Sequence, residues 1–553
     1  MEPIRYAGFA GCNFALQPRL LPAEVGVFCE NQKPGRGDLR PWRVPLNVAT
    51  VPAGRKTIYR FSREVRSDAL YWFSFTTVAH VVRAFLADDT TERTYYAAAT
   101  GGLKATDNLT GIATAPYPTT ARDVGVPAPI AAPVLLETTP GTGSNETRFY
   151  AYVYVNDWNE VSAPSPVSAP FTCKPGAVVA ISGMSVVPGG SHGINRIRIY
   201  RTQAGATGAD FFFLREITAA TTSTDDARAL GSDVMESAGP AGTVGLQWSV
   251  PPANLKCPLG MWNGMMAGIS GKSVRVCEPF KPYAWPPAYE TLTQDQPVAL
   301  ALAGRSVVIL TTGTPSLLYG AAPESLESPP MSMVLPCESV TGVVSFDHGV
   351  VWPSTDGLAY VSASGVPKLL TEGLMTRDDW KLLSPTTMVA GQFDGFYICF
   401  YDTGAGFKGF VIDPLNPAGF YPLTTGYPAC YYDKLQGFLY VLDGVNVARW
   451  DAGAAFMTVL SRSKVFRQPR ASNPAVAEVI SDNYPVTFKL WAGQFGAAGW
   501  PAGSLKITKT VAGRGIFRLP SGYLADDIQI EVSGAGAVVG VVVAGSVNDI
   551  RQT

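Results

Sequence analysis

The sequence predicts an all-β chain: a β-propeller with an inserted fibronectin type III-like β-sandwich and a C-terminal β-sandwich. Three observations predict it. A short hairpin motif recurs between Trp262 and Trp450 with a period of about 40 to 47 residues, the size of one four-stranded propeller blade. The 553 residues include 56 Gly and 44 Pro but only 16% charged residues, a turn-rich composition that suits strands better than helices. A proline-rich linker, Pro127–Pro133, interrupts the pattern and leads into the strictly alternating stretch Thr147–Asn156.

The repeated motif is an apolar or aromatic strand, a tight turn with Gly, Asp or Asn, and a second strand of alternating apolar residues. Its copies are Trp262–Ile269, Ala303–Leu310, Phe346–Trp352, Phe393–Phe400 and Asp433–Val441. A blade cannot bury both faces by itself, so such units must stack on their neighbours.

Taken in order, residues 1–126 are expected to hold an extended lead-in followed by the first propeller strands. Asn31–Asp38 reads as a polar Gly/Pro loop, and Leu39–Trp42 resumes an apolar strand. Ala69–Phe75, Val78–Phe85 and Thr91–Tyr96 have the spacing of one blade, which would close the ring with the later repeats. Residues 127–245 form the expected insert. There Tyr150, Tyr152 and Tyr154 share one face and Phe149, Ala151, Val153 and Val155 the other; Arg196–Thr202 and Phe211–Ile217 add strands. Residues 246–460 carry the main blades. Residues 461–553 form a small closing sandwich that ends in the apolar run Val538–Ala544. Helix is scarce, and Thr376–Leu383 is its best short stretch.

The net charge of −1 argues against tight binding of nucleic acid or anionic membranes, which need clustered Lys and Arg. There is no apolar run of the ~18 residues that cross a bilayer, and the first residues have no apolar signal core, so Sec export is not expected. None of the eight cysteines sits in a CxxC pair. Most lie in strand-like runs, so buried free thiols in a reducing cytoplasm are expected.

Several motifs resemble chemistry but read better as structure. Gly271-Lys272-Ser273 ends like a phosphate loop, yet position 266 is Met and the segment continues as a strand. Gly404–Gly409 matches GxGxxG but joins two strands, as a hairpin connection does. Arg36-Gly37-Asp38 reads as an ordinary Gly turn. His80, His192 and His348 are far apart and in different segments, so a three-histidine metal site is not expected. Asp347, Asp356, Asp394, Asp402, Asp433 and Asp443 have the residue type a propeller glycosidase needs for acid and base, but most abut Gly or a turn that Asp itself caps. No catalytic residue, cofactor or metal is expected. Trp158, Trp262, Trp285 and Trp352 are the candidate interface anchors, because aromatic residues dominate binding hot spots. Each also suits a blade or sandwich core.

Val276-Cys277-Glu278-Pro279-Phe280, followed by Tyr283-Ala284-Trp285-Pro286-Pro287-Ala288-Tyr289-Glu290, resembles a recurrent phrase of bacteriophage virion proteins. Thr311–Gly320 is similar to the strand pair that follows it there. Tyr150–Pro166 and Arg198–Thr202 are similar to the inserted domain. From Leu39 onward the chain resembles the tail tube nozzle proteins of short-tailed phages. The resemblance implies a structural virion protein, made in the host cytoplasm and resident in the virion tail. It implies a ring, usually of six subunits, below the portal and its adaptor protein. Phage DNA would pass down the axis without sequence-specific binding, and tail fibres or spikes would attach outside. Two other readings compete: a propeller glycanase or depolymerase acting on host polysaccharide, and a receptor-binding or fibre-attachment module.

Overall fold

The computed structural model describes all residues except 62–65, 87–88, 100–101, 185–186, 203–210, 229–247, 496–503 and 552–553. The chain is all-β, with propeller-type blades. Its α-helices among the described residues are Arg377–Leu382 and Val547–Arg551. The first stands where the sequence predicts it. Thr376 caps it by accepting from the Asp379 amide, and the Asp379 carboxylate accepts in return from the Thr376 hydroxyl at 2.6 Å.

Two compact units share the chain: Met1–Thr76 with Ala301–Ser316 and Pro330–Thr553, and Thr77–Leu300 with Leu317–Pro329. In the first unit the repeats are antiparallel meanders. Val344–Phe346, Gly349–Ser354, Gly357–Ser362 and Pro367–Leu369 make one sheet; Val389–Phe393, Phe396–Asp402, Phe407–Ile412 and Tyr421–Leu423 make the next. Cys430–Asp433, Phe438–Asp443 and Asn446–Arg449 make a third, and Leu46–Thr50 supplies its fourth strand. The N-terminal part therefore completes the last repeat. The first strands of successive sheets touch, and their side chains fill the space between. Along Phe396–Asp402, Tyr397, Cys399 and Tyr401 join one core, while Ile398 and Phe400 join the next with Trp42, Leu439 and Trp450. A strand alternating with period two and buried on both faces is what stacked blades require.

All five copies of the hairpin motif lie at the first turn of successive sheets. Four of these turns use left-handed backbone, supplied by Gly264 (φ 74°), Gly304 (φ 60°), Asp394 (φ 51°) and Gly437 (φ 72°). One expected grouping is corrected. Trp72–Phe75 does not join Ala79–Arg83 and Thr94–Ala98 in one blade; it pairs with Thr57–Arg60, and Ala79–Arg83 begins a separate sheet.

The N-terminal lead-in is also corrected, because it is built into the C-terminal sandwich. Ile4–Ala7 pairs with Val538–Ala544, Gly26–Glu30 pairs with Val459–Ser463, and Leu39 bridges Val538. The sandwich stacks a four-stranded sheet on a six-stranded one around Tyr6, Leu39, Phe488, Ile530 and Val541. Pairing of distant segments leaves no local pattern, so the sequence could not reveal it. The cysteine expectation fails at one point for the same reason. Cys12 and Cys29 are joined as a disulfide, while the other six thiols are free.

In the second unit, Lys256–Gly260, Met266–Ser270, Ser273–Val276 and Glu290–Leu292 form one blade. Ala79–Arg83, Thr94–Ala98, Lys104–Thr106 and Arg122–Asp123 form another, and the first strands of the two blades touch. The insert is a β-sandwich. Val134–Thr139, Val178–Ser182 and Thr224–Asp226 make one sheet; Tyr150–Asn156, Ile194–Thr202 and Phe211–Thr218 make the other. Its expected end near 245 lies outside the described residues. Every residue of Tyr150–Asn156 is buried. The three tyrosines fill the sandwich core with Ile181, Ile197 and Leu214. Val153 and Val155 pack outside it, against Trp248 and Ala284. The insert thus docks through Tyr150–Asn156, an edge strand of its sheet.

Candidate functional site

The four candidate tryptophans have different surroundings. Trp352 lies in Gly349–Ser354, a strand buried at every position, and is 0% exposed; its indole N–H donates to the Leu335 carbonyl at 3.2 Å. Trp285 is also buried, and its N–H donates to the Pro282 carbonyl at 2.8 Å. Both fill cores. Trp262 is 37% exposed, on the turn whose Gly264 lies under the Phe280 ring.

Trp158 is half-buried and already engaged within the chain. It sits in the turn after Tyr150–Asn156, where the Asn156 side chain accepts from the Trp158 and Glu160 amides. The guanidinium groups of Arg93 and Arg122 each lie 4.8 Å from its ring centroid. Both arginines belong to the adjoining blade, so the insert is clamped at its turn as well as along its strand. Such a cation–π contact contributes on the order of 0.5–2 kcal/mol. Arg93 also pairs with Glu160 at 3.2 Å, and Arg122 pairs with Asp157. The sequence signal was the polar Asn-Asp-Trp-Asn-Glu turn closing an alternating strand. Nothing in the sequence marked the two arginines or Glu160 as its partners.

Glu160 is buried, and that burial raises its pKa from the usual 4.5 to about 7; the Asn156 amide at 2.8 Å and Arg93 offset part of the rise. The folded chain therefore holds a proton on Glu160 over a range where the unfolded chain has lost it. This group's contribution to stability falls as pH rises from about 4.5 to about 7, and then levels off. Hydrogen exchange of the Tyr150–Asn156 amides, corrected for the intrinsic rate, should lose protection across that window. Glu160→Gln should flatten the response; an unchanged slope in the variant would exclude Glu160 as its source.

Several of the other chemical candidates are engaged within the fold. Asp433 is buried and pairs with Arg60 at 2.9 Å. Asp402 caps the Gly404 amide, and Asp356 pairs with Arg377 at 2.7 Å. Asp38 turns back onto Arg40 at 2.7 Å, which occupies the acid of the Arg-Gly-Asp tripeptide. His192 contacts the Gly125 carbonyl and His348 the Tyr360 hydroxyl, and burial lowers His80 to about 4. Burial pushes the Cys257, Cys277 and Cys430 thiols up to about 12, so they are not thiolates near neutral pH. Among the described residues no group of three or more His, Cys, Asp or Glu could hold a metal ion. No helix among them is long and apolar enough to cross a membrane.

No family model and no curated protein matches the chain. Among solved structures it is similar to the WD40 domain of Neurospora crassa Pan2, at 10% identity and a TM-score of 0.23, over 49% of this chain and 82% of that one. A gluconolactonase from Xanthomonas campestris matches at 10% identity and a TM-score of 0.22, over 75% and 99% of the two chains. YCF48 from Cyanidioschyzon merolae matches at 11% identity and a TM-score of 0.23, over 66% and 94%. Scores this low carry no weight for function, and the blades stand on their own strand pairings.

Proposed function

We propose that the chain is an architectural protein of a short-tailed phage virion, a tail nozzle subunit that assembles with further copies into a ring, six being the expected number. The observation that carries the reading is the docking of the insert. The segment most similar to nozzle proteins, Val276–Glu290, contributes Ala284 to the core that holds Val153 and Val155, and its Trp285 amide donates to the Ser249 carbonyl at 2.9 Å. A sandwich held to its blade by a buried strand and by the Trp158 clamp suits a part that must keep its shape while a duplex passes. A net charge of −1 suits it too, because a basic wall would retain DNA. The finer reading of the insert as fibronectin type III-like belongs to this proposal. The pairing of Tyr150–Asn156 with Ile194–Thr202, and of that strand with Phe211–Thr218, supports it. The role is mechanical and not catalytic; the adaptor and the fibres or spikes are its partners.

Purified chain is expected to form closed rings in negative-stain images and to elute at the corresponding mass. Trp262, the exposed member of the four, is the expected contact. Trp262→Ala should weaken rings while changing subunit stability by no more than about 0.5 kcal/mol. A chain that stays monomeric at high concentration, or sits elsewhere in the particle, would exclude the nozzle.

A further inference from the structure

A cleft of about 630 Å³ opens in the first unit, where the blade completed by Leu46–Thr50 meets the six-stranded sheet. Its size lies within the range of small-ligand sites, and junctions between modules are where such sites concentrate. Glu30, Asn47 and Asp443 line it, together with the hydroxyls of Thr425 and Ser533 and an apolar contribution from Met457. Other carboxylates of this unit have partners: Asp433 holds Arg60, Asp451 holds Lys33, and Glu531 holds Arg462 and Lys489. Among the described residues, the carboxylates of Glu30 and Asp443 and the amide of Asn47 have no hydrogen-bond or ion-pair partner. No Lys or Arg among the described residues lines the cleft; Lys408 and Glu531 act on Glu30 electrostatically, with opposite sign.

We infer that this cleft binds a neutral saccharide unit, with Glu30, Asp443 and Asn47 receiving its hydroxyl groups. An ionised carboxylate only accepts, so the pair suits a ligand rich in O–H donors that replace its water. Thr and Ser hydroxyls both donate and accept, as a sugar's own hydroxyls and ring oxygen require, whereas an ammonium group only donates. The methionine side chain offers an apolar surface to the C–H face of a sugar ring. The inference concerns binding alone and stands apart from the ring.

Saturation-transfer NMR on the full chain tests it, with the methyl glycosides of glucose, galactose, mannose and N-acetylglucosamine as probes and spermidine as the cationic control. At least one glycoside should bind in the millimolar range. Asp443→Ala and Asn47→Ala change exposed residues and should leave thermal unfolding unchanged; each should weaken that glycoside about tenfold, the scale of one lost hydrogen bond to a charged or amide group. Transfer to none of the four sugars, binding undiminished in both variants, or binding of spermidine alone would each overturn the inference.

Discussion

Asp226→Ala is expected to cost about 3–5 kcal/mol and to unfold the inserted sandwich ahead of the rest of the chain. One carboxylate oxygen of Asp226 accepts from the Arg201 guanidinium at 2.7 Å and from the Tyr150 hydroxyl at 2.7 Å, and lies 3.6 Å from Arg148. The Asp226, Arg148 and Arg201 side chains are at most 1% exposed. Arg148 would keep Glu146 at 2.6 Å, but among the described residues Arg201 would keep only the Arg228 carbonyl at 2.9 Å. A buried cation that loses its counter-ion finds no water to replace it, which sets the size of the effect. Asp226→Asn should fall between, since it keeps an acceptor without the charge. Urea unfolding followed by hydrogen exchange across Tyr150–Asn156 and Ile194–Thr202 would measure it. A loss below about 1 kcal/mol would mean that the cluster relaxes or admits water.

Trp352→Ala should cost about 3–5 kcal/mol, through the lost transfer energy of the ring and the cavity left behind. The strand around it, Gly349–Ser354, is buried throughout. The Leu335 carbonyl would also lose its indole donor. The comparison with Trp262→Ala decides between two roles for a tryptophan. Trp352 should act on unfolding and Trp262 on assembly. If Trp352→Ala leaves the urea midpoint in place but dissolves rings, its assignment to the blade core is wrong.

The legible parts of this chain are those whose cause is local. Gly264, Gly304, Asp394 and Gly437 stand at turns because left-handed backbone excludes most other residues, so the repeat could be counted from the letters. The short helix within Thr376–Leu383 was legible too, and the capping box that the structure shows at Thr376 and Asp379 is equally local. The tyrosine face of Tyr150–Asn156 was visible as alternation, although alternation alone could not say that the opposite face is covered too. What escaped depends on partners far along the chain. Ile4–Ala7 reads as a loose start until Val538–Ala544 lies beside it. Cys12 and Cys29 have no spacing motif. The strand Trp72–Phe75 has the same composition whichever neighbour it takes. Trp158 was picked out as an aromatic anchor, but its two arginine partners, and the company of Glu30 and Asp443 around one cleft, are matters of tertiary placement.

The pairing of Ile4–Ala7 and Gly26–Glu30 with strands from the other end of the sequence sets a timetable for synthesis. On the ribosome these early strands emerge with their hydrogen-bonding edges unmet, and Tyr6 waits without its final neighbours until Val538–Ala544 has been translated. Closing so long a loop is slow, and unpaired edges are open to other nascent chains in the meantime. Expression at lower temperature, or with a chaperone that shields strand edges, should therefore raise the soluble yield, and deletion of residues 1–7 should lower it by baring the valine-rich strand they cover.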